Sequence, residues 1–457
     1  MTSTLPRARA VRAVRTVRIG VLGGGTVAAP VVGLLRERAE DLAVQAGARL
    51  EVVHVAVADV AKPRPPEVPA ALVTGDAAAV VVDPGVDVVV ELIGGVDVAG
   101  PLVRAALEAG KPVVTANKAL LASPEGAELR SLARSHGVDL LYEAAVAGAI
   151  PLVRALRQSL TGERIVRVMG IVNGTTNYLL TKMDEQDAPY VAVLAEAQRL
   201  GLAERDPTAD VAGQDAAAKA AILAGVAFGY DVSVDQVDCE GITAIEQPDV
   251  AFARRTGHVV KLLAIVERVG EGSVSVRVHP TLVPRDHPLA GVRDAFNAVF
   301  VEGEAAGELM LYGQGAGGLP TASAVVGDVI DAARNLLAGT TAPAPERRPV
   351  RIEPPSSLCS RYYVRLDVED RPGVLGAVAT VFGSHGVSIS SMEQETPERL
   401  ADEEGAAGRD ASGLARLLFV THEAATGDVA ATLADLDAIP AVVRVANALR
   451  ILPWERR

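Results

Sequence analysis

The chain has 457 residues, of which 49% are hydrophobic and 22% are charged, so it can form large cores and is not a disordered protein. Its 57 acidic residues outnumber its 44 basic residues and give a formal net charge of −13. This balance argues against a nucleic-acid scaffold, which needs a basic face. At roughly 150 residues per domain, the length predicts about three domains.

Two cysteines, Cys239 and Cys359, lie far apart and outside any CxxC pair. This excludes a disulfide framework and a cysteine-rich zinc site, and it favours a reducing cytoplasm. No apolar run reaches the roughly 20 residues that span a bilayer. Residues 1–16 are rich in arginine and lack the apolar core of a signal peptide, so we interpret them as a disordered, solvated arm.

The first half of the chain alternates strand-like and helix-like segments. Short runs rich in Val, Ile and Leu, which suit strands buried on both faces, occupy residues 17–22, 50–57, 87–91 and 112–115. Helical patterns lie between them, including residues 27–45 and 98–109. The repetition predicts an α/β domain over residues 17–150, with a doubly wound parallel sheet of the Rossmann type.

The character of the chain changes after about residue 162. Strand-like runs occupy residues 164–172, 258–267, 273–283, 298–302 and 308–311. The second and third of these runs, separated by glycines, predict a hairpin. Helical patterns precede the hairpin, and another covers residues 321–337. This mixture predicts an α+β domain over residues 151–338.

The remaining residues predict a linker and a small third domain. Residues 339–358 are rich in proline and hold few large apolar side chains, which is typical of a linker. After it, the order strand, helix, strand, strand, helix, strand is predicted for residues 362–368, 373–385, 387–394, 414–421, 427–436 and 442–449. This is the plan of a ferredoxin-like domain, over residues 359–457. The acidic residues 396–412 within it predict a mobile loop.

A glycine turn joins the first predicted strand to the first predicted helix. The run VLGGGTVA of residues 21–28 fits the pattern G-x-G-x-x-A. Glycines there let the backbone turn tightly and approach a pyrophosphate, which then lies at the helix N-terminus. Candidate cofactor-binding residues are therefore Gly23, Gly25, Thr26 and Val27. An ordinary glycine turn is the alternative.

Three further strand ends could face a cofactor. Asp59 follows the second strand, where a carboxylate could bind a ribose diol of NAD, whereas the nearby Lys62 could meet the 2′-phosphate of NADP; a solvated strand end is the alternative. Gly94, Thr115 and Lys118 follow two later strands, and ligands of such sheets bind beyond the carboxyl ends of the strands. Lys118 could neutralise a developing charge or cap a turn.

Two other segments are candidate ligand sites. Residues 142–151 are apolar except for Glu143, whose carboxylate needs a cation or several hydrogen-bond donors if it is buried. Two interpretations of Glu143 stay open. Its carboxylate could bind a hard ion together with backbone carbonyls, or it could have a purely structural role. Gly315 lies in a second glycine-rich run, which could wrap around a cofactor or act as an interdomain hinge.

The most informative segment covers residues 201–219. Glu204 and Asp210 lie in a proline-containing turn before an apolar helix, and they could bind an ammonium or hydroxyl group of a substrate. Asp215 and Lys219 are four residues apart, on one face of a helix with no other charge. We therefore expect the pair to be buried or to line a cleft, where a lysine positioned by an aspartate can transfer protons. A structural ion pair is the alternative.

Together these segments resemble the homoserine dehydrogenase family. The resemblance begins at about residue 17 and rests on the glycine turns and strand ends above, on the run GIVNGTTNY of residues 170–178, and on the block from Glu204 to Lys219. The NGTTNY run and the acidic block are its specific part. The third domain resembles an ACT domain, an appendage that senses amino acids.

The resemblance implies an activity and a role for each matched residue. Members reduce L-aspartate 4-semialdehyde to L-homoserine with NAD(P)H in threonine and methionine biosynthesis, and they pair through the second domain as dimers or tetramers. Lys219 would be the proton donor, supported by Asp215, with Lys118 beside the reacting oxygen. The implied substrate-binding residues are Glu204, Asp210, Gly174, Thr175 and Tyr178. The implied sodium site consists of Glu143 and the carbonyls of Val146, Gly148 and Ile150. L-Threonine would be a candidate effector of the ACT domain.

One position departs from the family. Members often have an arginine where this chain has Ala58, a position linked to the 2′-phosphate, so the choice between NADP and NAD stays open. The alternative function is a non-catalytic regulator that binds a dinucleotide and an amino acid, in which the Asp215–Lys219 pair would be dispensable. An aldehyde-oxidising enzyme is disfavoured because it would need a nucleophilic cysteine, and both cysteines lie outside these motifs.

Overall fold

The computed structural model describes residues 15–344, 346–347, 350–395 and 413–454. The predicted arm up to residue 14 and the predicted mobile loop at 396–412 lie outside the described residues. The chain forms two compact units, Met1–Ala149 with Ala316–Glu346 and Ile150–Gly315 with Arg347–Arg457.

The elements of the described residues are named in chain order. The strands are β1 (Thr16–Leu22), β2 (Arg49–Ala56), β3 (Val73–Thr74), β4 (Val88–Glu91), β5 (Val113–Thr115), β6 (Leu140–Leu141), β7 (Ile165–Ile171), β8 (Asp238–Cys239), β9 (His258–Gly270), β10 (Ser273–Pro284), β11 (Phe296–Gly303), β12 (Gly307–Gln314), β13 (Arg351–Ile352), β14 (Cys359–Glu369), β15 (Ile389–Glu395), β16 (Leu414–Thr421), β17 (Ala424–Ala425) and β18 (Val442–Ile451). The helices are α1 (Ala28–Glu37), α2 (Ala39–Ala46), α3 (Ala77–Val82), α4 (Ala99–Glu108), α5 (Lys118–Ala122), α6 (Pro124–His136), α7 (Leu152–Arg154), α8 (Gly174–Gln186), α9 (Tyr190–Arg199), α10 (Thr208–Val211), α11 (Gln214–Phe228), α12 (Gln247–Arg255), α13 (Gly318–Ala338), α14 (Val374–Ser384) and α15 (Thr426–Asp437). Within the described part of the chain, no helix is long and apolar enough to cross a membrane.

The first unit contains a six-stranded sheet in the order β3-β2-β1-β4-β5-β6. Every neighbouring pair of its strands is parallel, as the alternating sequence pattern predicts. The strand order reverses between β1 and β4, and in such sheets ligands bind beyond the carboxyl ends of the strands at this switch point. The doubly wound fold is therefore confirmed, and it brings the loops after β1, β4 and β5 to one edge.

Two predicted helices differ from the structure. The single helix predicted over residues 27–45 is divided into α1 and α2, because Arg38 leaves the helical region with φ −110° and ψ 24°. The helix predicted at residues 321–337 for the second domain is α13, which belongs to the first unit. Its buried side chains, including Val325 and Val329, join the apolar core that α1 and β1 form. A periodic apolar face predicts this helix but not the sheet that it covers.

The second unit contains a mixed sheet in the order β12-β11-β7-β9-β10-β18-β14-β16-β15. β9 and β10 form the predicted hairpin, and β7 joins it to β11 and β12 in antiparallel pairs. Apolar side chains of β7, β9 and β11 form a core on one face of this sheet.

The C-terminal module is the predicted ferredoxin-like fold. Its strands lie in the order β18-β14-β16-β15, and α14 and α15 contribute to a core with them. The module continues the sheet of the α+β part, because β18 pairs in parallel with β10 through Thr281 with Arg450 and Leu282 with Ile451. The predicted linker is partly ordered: β13 also pairs with β10, at Ser273.

Candidate active site

The glycine turn of the first unit closes tightly over the sheet edge. Gly23 has φ +104°, its amide donates to the carbonyl of Ala56 at 2.8 Å, and a Cβ there would lie 2.6 Å from the carbonyl oxygen of Leu92. A Cβ on Gly25 would meet nothing within 4 Å. Only glycine therefore suits the first position, and the backbone at Gly25 is open to a bound group before α1 begins.

The loops after β4 and β5 are bound together by Glu91, whose side chain is fully buried. One carboxylate oxygen accepts from the amides of Ile93 and Gly94 at 2.7 and 3.0 Å, and the other accepts from the Thr115 hydroxyl at 2.5 Å. Asn117 caps α5 by accepting from the Leu120 amide at 3.0 Å. Gly94, Thr115 and the start of α5 are thus fixed at the same sheet edge.

Lys118 is the first residue of α5 and is exposed. Asn117 also donates to the carbonyl of Gly95 at 2.6 Å, so the start of α5 is held against the loop after β4. Asp59 and Lys62, at the end of β2, are exposed too, and the Asp59 carboxylate accepts from the amide of Ala61 at 2.9 Å.

The charged pair of the second unit lies on α11, which is buried along most of its length. Lys219 and Asp215 are each 8% exposed, and Nζ of Lys219 lies 2.7 Å from Oδ2 of Asp215. The ammonium also donates to the carbonyl of Val172 at 2.6 Å, just after β7. The pair is buried, as the otherwise uncharged helix predicts, and the ammonium is held from two directions.

Asn173 joins the pair to the acidic turn before it. Its side-chain oxygen caps α8 by accepting from the Thr176 amide at 2.9 Å. Its side-chain nitrogen donates to Asp210 at 2.7 Å and to Oδ2 of Asp215 at 2.9 Å. One amide therefore brings the carboxylates of Asp210 and Asp215 together beside Lys219, and this cluster is the strongest candidate for chemistry in the second unit.

Three other predicted substrate-binding residues, Gly174, Thr175 and Tyr178, lie in the first turns of α8. Their contacts described below are with residues outside the Asp215–Lys219 pair. Thr175 donates to the carbonyl of Leu202 at 2.7 Å, and a Cβ on Gly174 would lie 2.7 Å from the carbonyl oxygen of Ala295. The hydroxyl of Tyr178 donates to Glu196 at 2.9 Å, and burial together with Glu196 raises its pKa.

Glu204 is exposed, at the mouth of the acidic turn. Gly315, at the end of the second unit's strands, allows the backbone to pass the buried side chain of Asn297, with which any Cβ would collide.

The segment around Glu143 combines a buried carboxylate with an unusual turn. Glu143 is 3% exposed, and its amide donates to Asp328 of α13 at 2.7 Å. Val146 is buried, and Ala147 and Gly148 have φ values of +59° and +54°, which turns successive carbonyls in different directions. Ile150 begins the second unit and is also buried. Among the described residues, no cluster of three His, Cys, Asp or Glu side chains could hold a metal ion.

Sequence reasoning missed three residues that hold these groups. Asn173 and Glu91 occur inside motifs that were recognised, but nothing in the sequence shows that their side chains bridge distant segments. Lys261, on β9, is 3% exposed and donates to Oδ1 of Asn177 at 2.9 Å and to the carbonyl of Val292 at 2.6 Å. A lysine within an apolar strand was the signal that could have identified it.

Comparison with known proteins decides the family. Residues 151–330 match the family model of homoserine dehydrogenase, residues 23–143 match its NAD-binding domain, and residues 362–441 match the ACT domain. The homoserine dehydrogenase of Corynebacterium glutamicum is 49% identical over 440 residues, which cover 95% of each chain. The chain belongs to the homoserine dehydrogenase family. It is therefore an oxidoreductase, with a nicotinamide-binding domain and a C-terminal ACT domain.

Other homoserine dehydrogenases extend this likeness. The enzyme of Bacillus subtilis is 40% identical over 442 residues, covering 96% of this chain and 98% of the relative. The crystal structure of a homoserine dehydrogenase from Thiobacillus denitrificans has a TM-score of 0.88 and 38% identity, covering 96% of this chain and 99% of that chain. A hyperthermophilic archaeal homoserine dehydrogenase solved with NADPH has a TM-score of 0.58 and 27% identity, covering 69% of this chain and 97% of its own.

Proposed function

We propose that this homoserine dehydrogenase reduces L-aspartate 4-semialdehyde to L-homoserine with Lys219 as the proton donor and Asp215 as its support. One observation carries the proposal: the ammonium of Lys219 is buried 2.7 Å from Asp215 on a helix with no other charge. Burying a charge is costly unless it has partners, and such pairs concentrate where proton transfer is needed.

The proposed chemistry follows from the position of this ammonium. A bound nicotinamide supplies the hydride that adds to the aldehyde carbon. As negative charge grows on the carbonyl oxygen, an ammonium within hydrogen-bond reach stabilises it and then donates a proton. Asp215 and the carbonyl of Val172 hold the Lys219 ammonium in one place, so little reorganisation is required. In the reverse direction the neutral amine accepts the hydroxyl proton.

The acidic residues beside the pair suit the polar end of the substrate. We assign Asp210 and Glu204 to the amino and hydroxyl groups of homoserine. Asn173 joins Asp210, in α10, to Asp215, and the exposed Glu204 lies in the segment just before α10. The first turn of α8 supports a role for Gly174 and Thr175 in binding the substrate. Tyr178, whose hydroxyl donates to Glu196, would shape the pocket rather than bind a substrate group through that proton.

We assign the cofactor to the carboxyl edge of the parallel sheet. The residues assigned from the first unit are Gly23, Gly25, Thr26, Val27, Asp59, Lys62, Gly94, Thr115 and Lys118. Gly315, from the second glycine-rich run, is assigned to the cofactor as well. The tight turn at Gly23 and the open position at Gly25 support the pyrophosphate assignment. Lys118 would be the second cationic group of the reaction, since it begins α5 at that same edge.

We also propose a sodium ion at the loop of Glu143. A buried carboxylate with differently directed carbonyls of Val146 and Gly148, and the carbonyl of Ile150, suits a hard cation with oxygen ligands. Replacing sodium by a large organic cation in the buffer should lower the thermal midpoint of the wild-type protein but not that of Glu143→Gln. Equal thermal midpoints of the wild-type protein in both salts would contradict the proposed sodium site.

Regulation through the ACT domain is a further proposal. We infer that L-threonine binds the C-terminal module and slows the enzyme, because ACT domains bind amino acids and this one shares a sheet with the α+β part. A threonine titration that changes neither the rate nor the cofactor affinity would contradict this proposal.

We also propose that the subunits pair as dimers or tetramers, and light scattering would measure the oligomeric state.

One assay tests the function as a whole. Homoserine-dependent reduction of NAD and of NADP is measured side by side, with the purified chain and with its Lys219→Ala variant. We expect turnover by the wild-type chain and its loss in the variant. A chain that binds the dinucleotide but reduces neither with homoserine would instead be the non-catalytic regulator.

A further inference from the structure

Arg64 lies between the end of β2 and the glycine turn of the first unit. Its Nη2 donates to the carbonyl of Asp59 at 2.6 Å, and its Nη1 donates to the carbonyl of Gly24 at 3.4 Å. A Cβ on Gly24 would lie 3.3 Å from Nη1 of Arg64. The guanidinium therefore connects the two segments that, in a dinucleotide-binding fold, bind the pyrophosphate and the ribose next to the adenine.

The charge of Arg64 is not matched by a carboxylate. Among the described residues, none forms an ion pair with its guanidinium, and its Nε is buried without a hydrogen-bond partner. A guanidinium has five N–H donors, and the two bonds to carbonyls use two of them. The buried Nε–H is costly to leave without an acceptor, and the unmatched positive charge of the partly buried guanidinium favours an anion with several acceptor oxygens beside it.

The neighbouring candidates are less suited to this role. The Asp59 carboxylate already accepts from the amide of Ala61 at 2.9 Å, which holds it in a local turn. Lys62 is exposed, and Ala58 has no charge to offer. A lysine is also a point charge, whereas the planar fork of an arginine matches a phosphate with two parallel hydrogen bonds.

We propose that Arg64 binds the 2′-phosphate of NADP and gives this chain its preference for NADP over NAD. The inference rests on the proposed function, since it presupposes that the glycine turn binds a dinucleotide. Arg64 is a specificity-determining residue: it acts on the one group that distinguishes the two cofactors and does not touch the reacting atoms.

Equilibrium binding tests the proposal without catalysis. Isothermal titration calorimetry with adenosine 2′,5′-bisphosphate and with 5′-AMP isolates the 2′-phosphate, and NADP and NAD are titrated in parallel. The proteins are the full-length wild type, Arg64→Met, Arg64→Lys and, for the rival candidate at the same strand end, Lys62→Met. We expect Arg64→Met to weaken the bisphosphate and NADP by roughly 10- to 100-fold, because it removes a bidentate charge-assisted pair. Affinity for 5′-AMP and NAD should hardly change, and Arg64→Lys should lie between.

Three results would overturn the role of Arg64. They are an equal loss of NAD and NADP affinity in Arg64→Met, a selective loss of NADP affinity in Lys62→Met instead, and a wild type that binds 5′-AMP as tightly as the bisphosphate. The first would make Arg64 a structural clamp of the turn. Retained NAD binding in Arg64→Met reports that the variant is folded. A wild type that binds none of the four ligands would instead refute the assigned cofactor site.

Discussion

The Nζ atom of Lys219 lies 2.7 Å from Oδ2 of Asp215, and both side chains are buried. If this ammonium is the proton donor, Lys219→Ala should lower kcat by roughly 10²- to 10⁴-fold, the usual contribution of general acid catalysis. The affinity for the dinucleotide should be unchanged. Steady-state kinetics and cofactor titration measure the two effects separately.

Lys111 offers a matched control for the loss of a buried lysine. It is 7% exposed, it donates to the carbonyl of Asp83, and it precedes β5. Lys111→Ala should reduce stability while the folded fraction keeps its kcat. A Lys219→Ala enzyme that kept near-normal kcat would remove Lys219 from the mechanism.

Asn173 has two separable roles, and substitution distinguishes them. Asn173→Asp keeps the oxygen that caps α8 but replaces the nitrogen that donates to Asp210 and Asp215 with a third acidic oxygen. We expect a lower kcat and a higher KM for homoserine, because the carboxylates lose their shared donor. We also expect a lower thermal midpoint, because three carboxylates then meet in a largely buried site. Asn173→Ala should lose activity as well and about 1 kcal/mol of stability, the usual value of an N-cap. Full activity in Asn173→Asp would show that the bridge is not needed.

Lys261 should make stability depend on pH. Burial lowers its pKa to about 8 from the usual 10.5, against the opposing effect of Asp184 and Glu185. Between these two values the unfolded chain holds a proton that the folded chain has released, so the free energy of unfolding rises with pH. The gain is at most about 3 kcal/mol.

The matched variant is Lys261→Met, which fills the same volume without the amine. Urea unfolding of both proteins at several pH values between about 8 and about 10.5 should show the wild type gaining stability relative to the variant, in line with the pKa difference. A constant difference between the two proteins over that range would show that Lys261 does not titrate there.

Asp249 of α12 and Arg365 of β14 form an ion pair in which neither side chain is exposed. Tyr363 and Asn447 also donate to the Asp249 carboxylate, at 3.1 and 2.8 Å. Asp249→Ala leaves a buried guanidinium with less compensation, so we expect a loss of about 3–5 kcal/mol in urea unfolding. The double variant Asp249→Leu with Arg365→Leu should be less destabilised, since apolar residues can replace a buried pair.

An exposed pair provides the comparison for this loss. Glu128, 67% exposed in its pair with Arg104, should give no measurable change on substitution by alanine. If Asp249→Ala lowered the free energy of unfolding as little as Glu128→Ala, the buried pair would not stabilise the junction between the ACT module and the α+β part.

The sequence predicted what depends on local pattern. The alternation of apolar runs predicts the parallel sheet, and the single charged pair in an apolar helix predicts that Lys219 and Asp215 are buried together, because both are properties of neighbouring residues. The break at Arg38 was not predicted, because neither a glycine nor a proline marks it.

What the sequence could not predict depends on segments that are far apart in the chain. Asn173 lies 37 residues from Asp210 and 42 from Asp215, and an asparagine before a helix suggests only a cap. Arg365 and Asp249 are 116 residues apart, and either charge alone is typical of a surface. α13 belongs to the first unit because its apolar face packs on the core that α1 and β1 form. The periodicity of its sequence predicts an apolar face but not the surface against which that face packs.

The shared sheet has a consequence for how the proposed threonine regulation can be tested. One side of β10 is paired with β8, β13 and β18, and the last of these strands belongs to the ACT module. Cutting the chain near residue 358 would expose unpaired amides and carbonyls at Thr281 and Leu282, and such edges attract strands from other molecules. If a truncated enzyme did not respond to threonine, aggregation at this exposed edge would explain the result as well as loss of the threonine site. The proposed regulation is therefore better tested by single substitutions in the full-length chain.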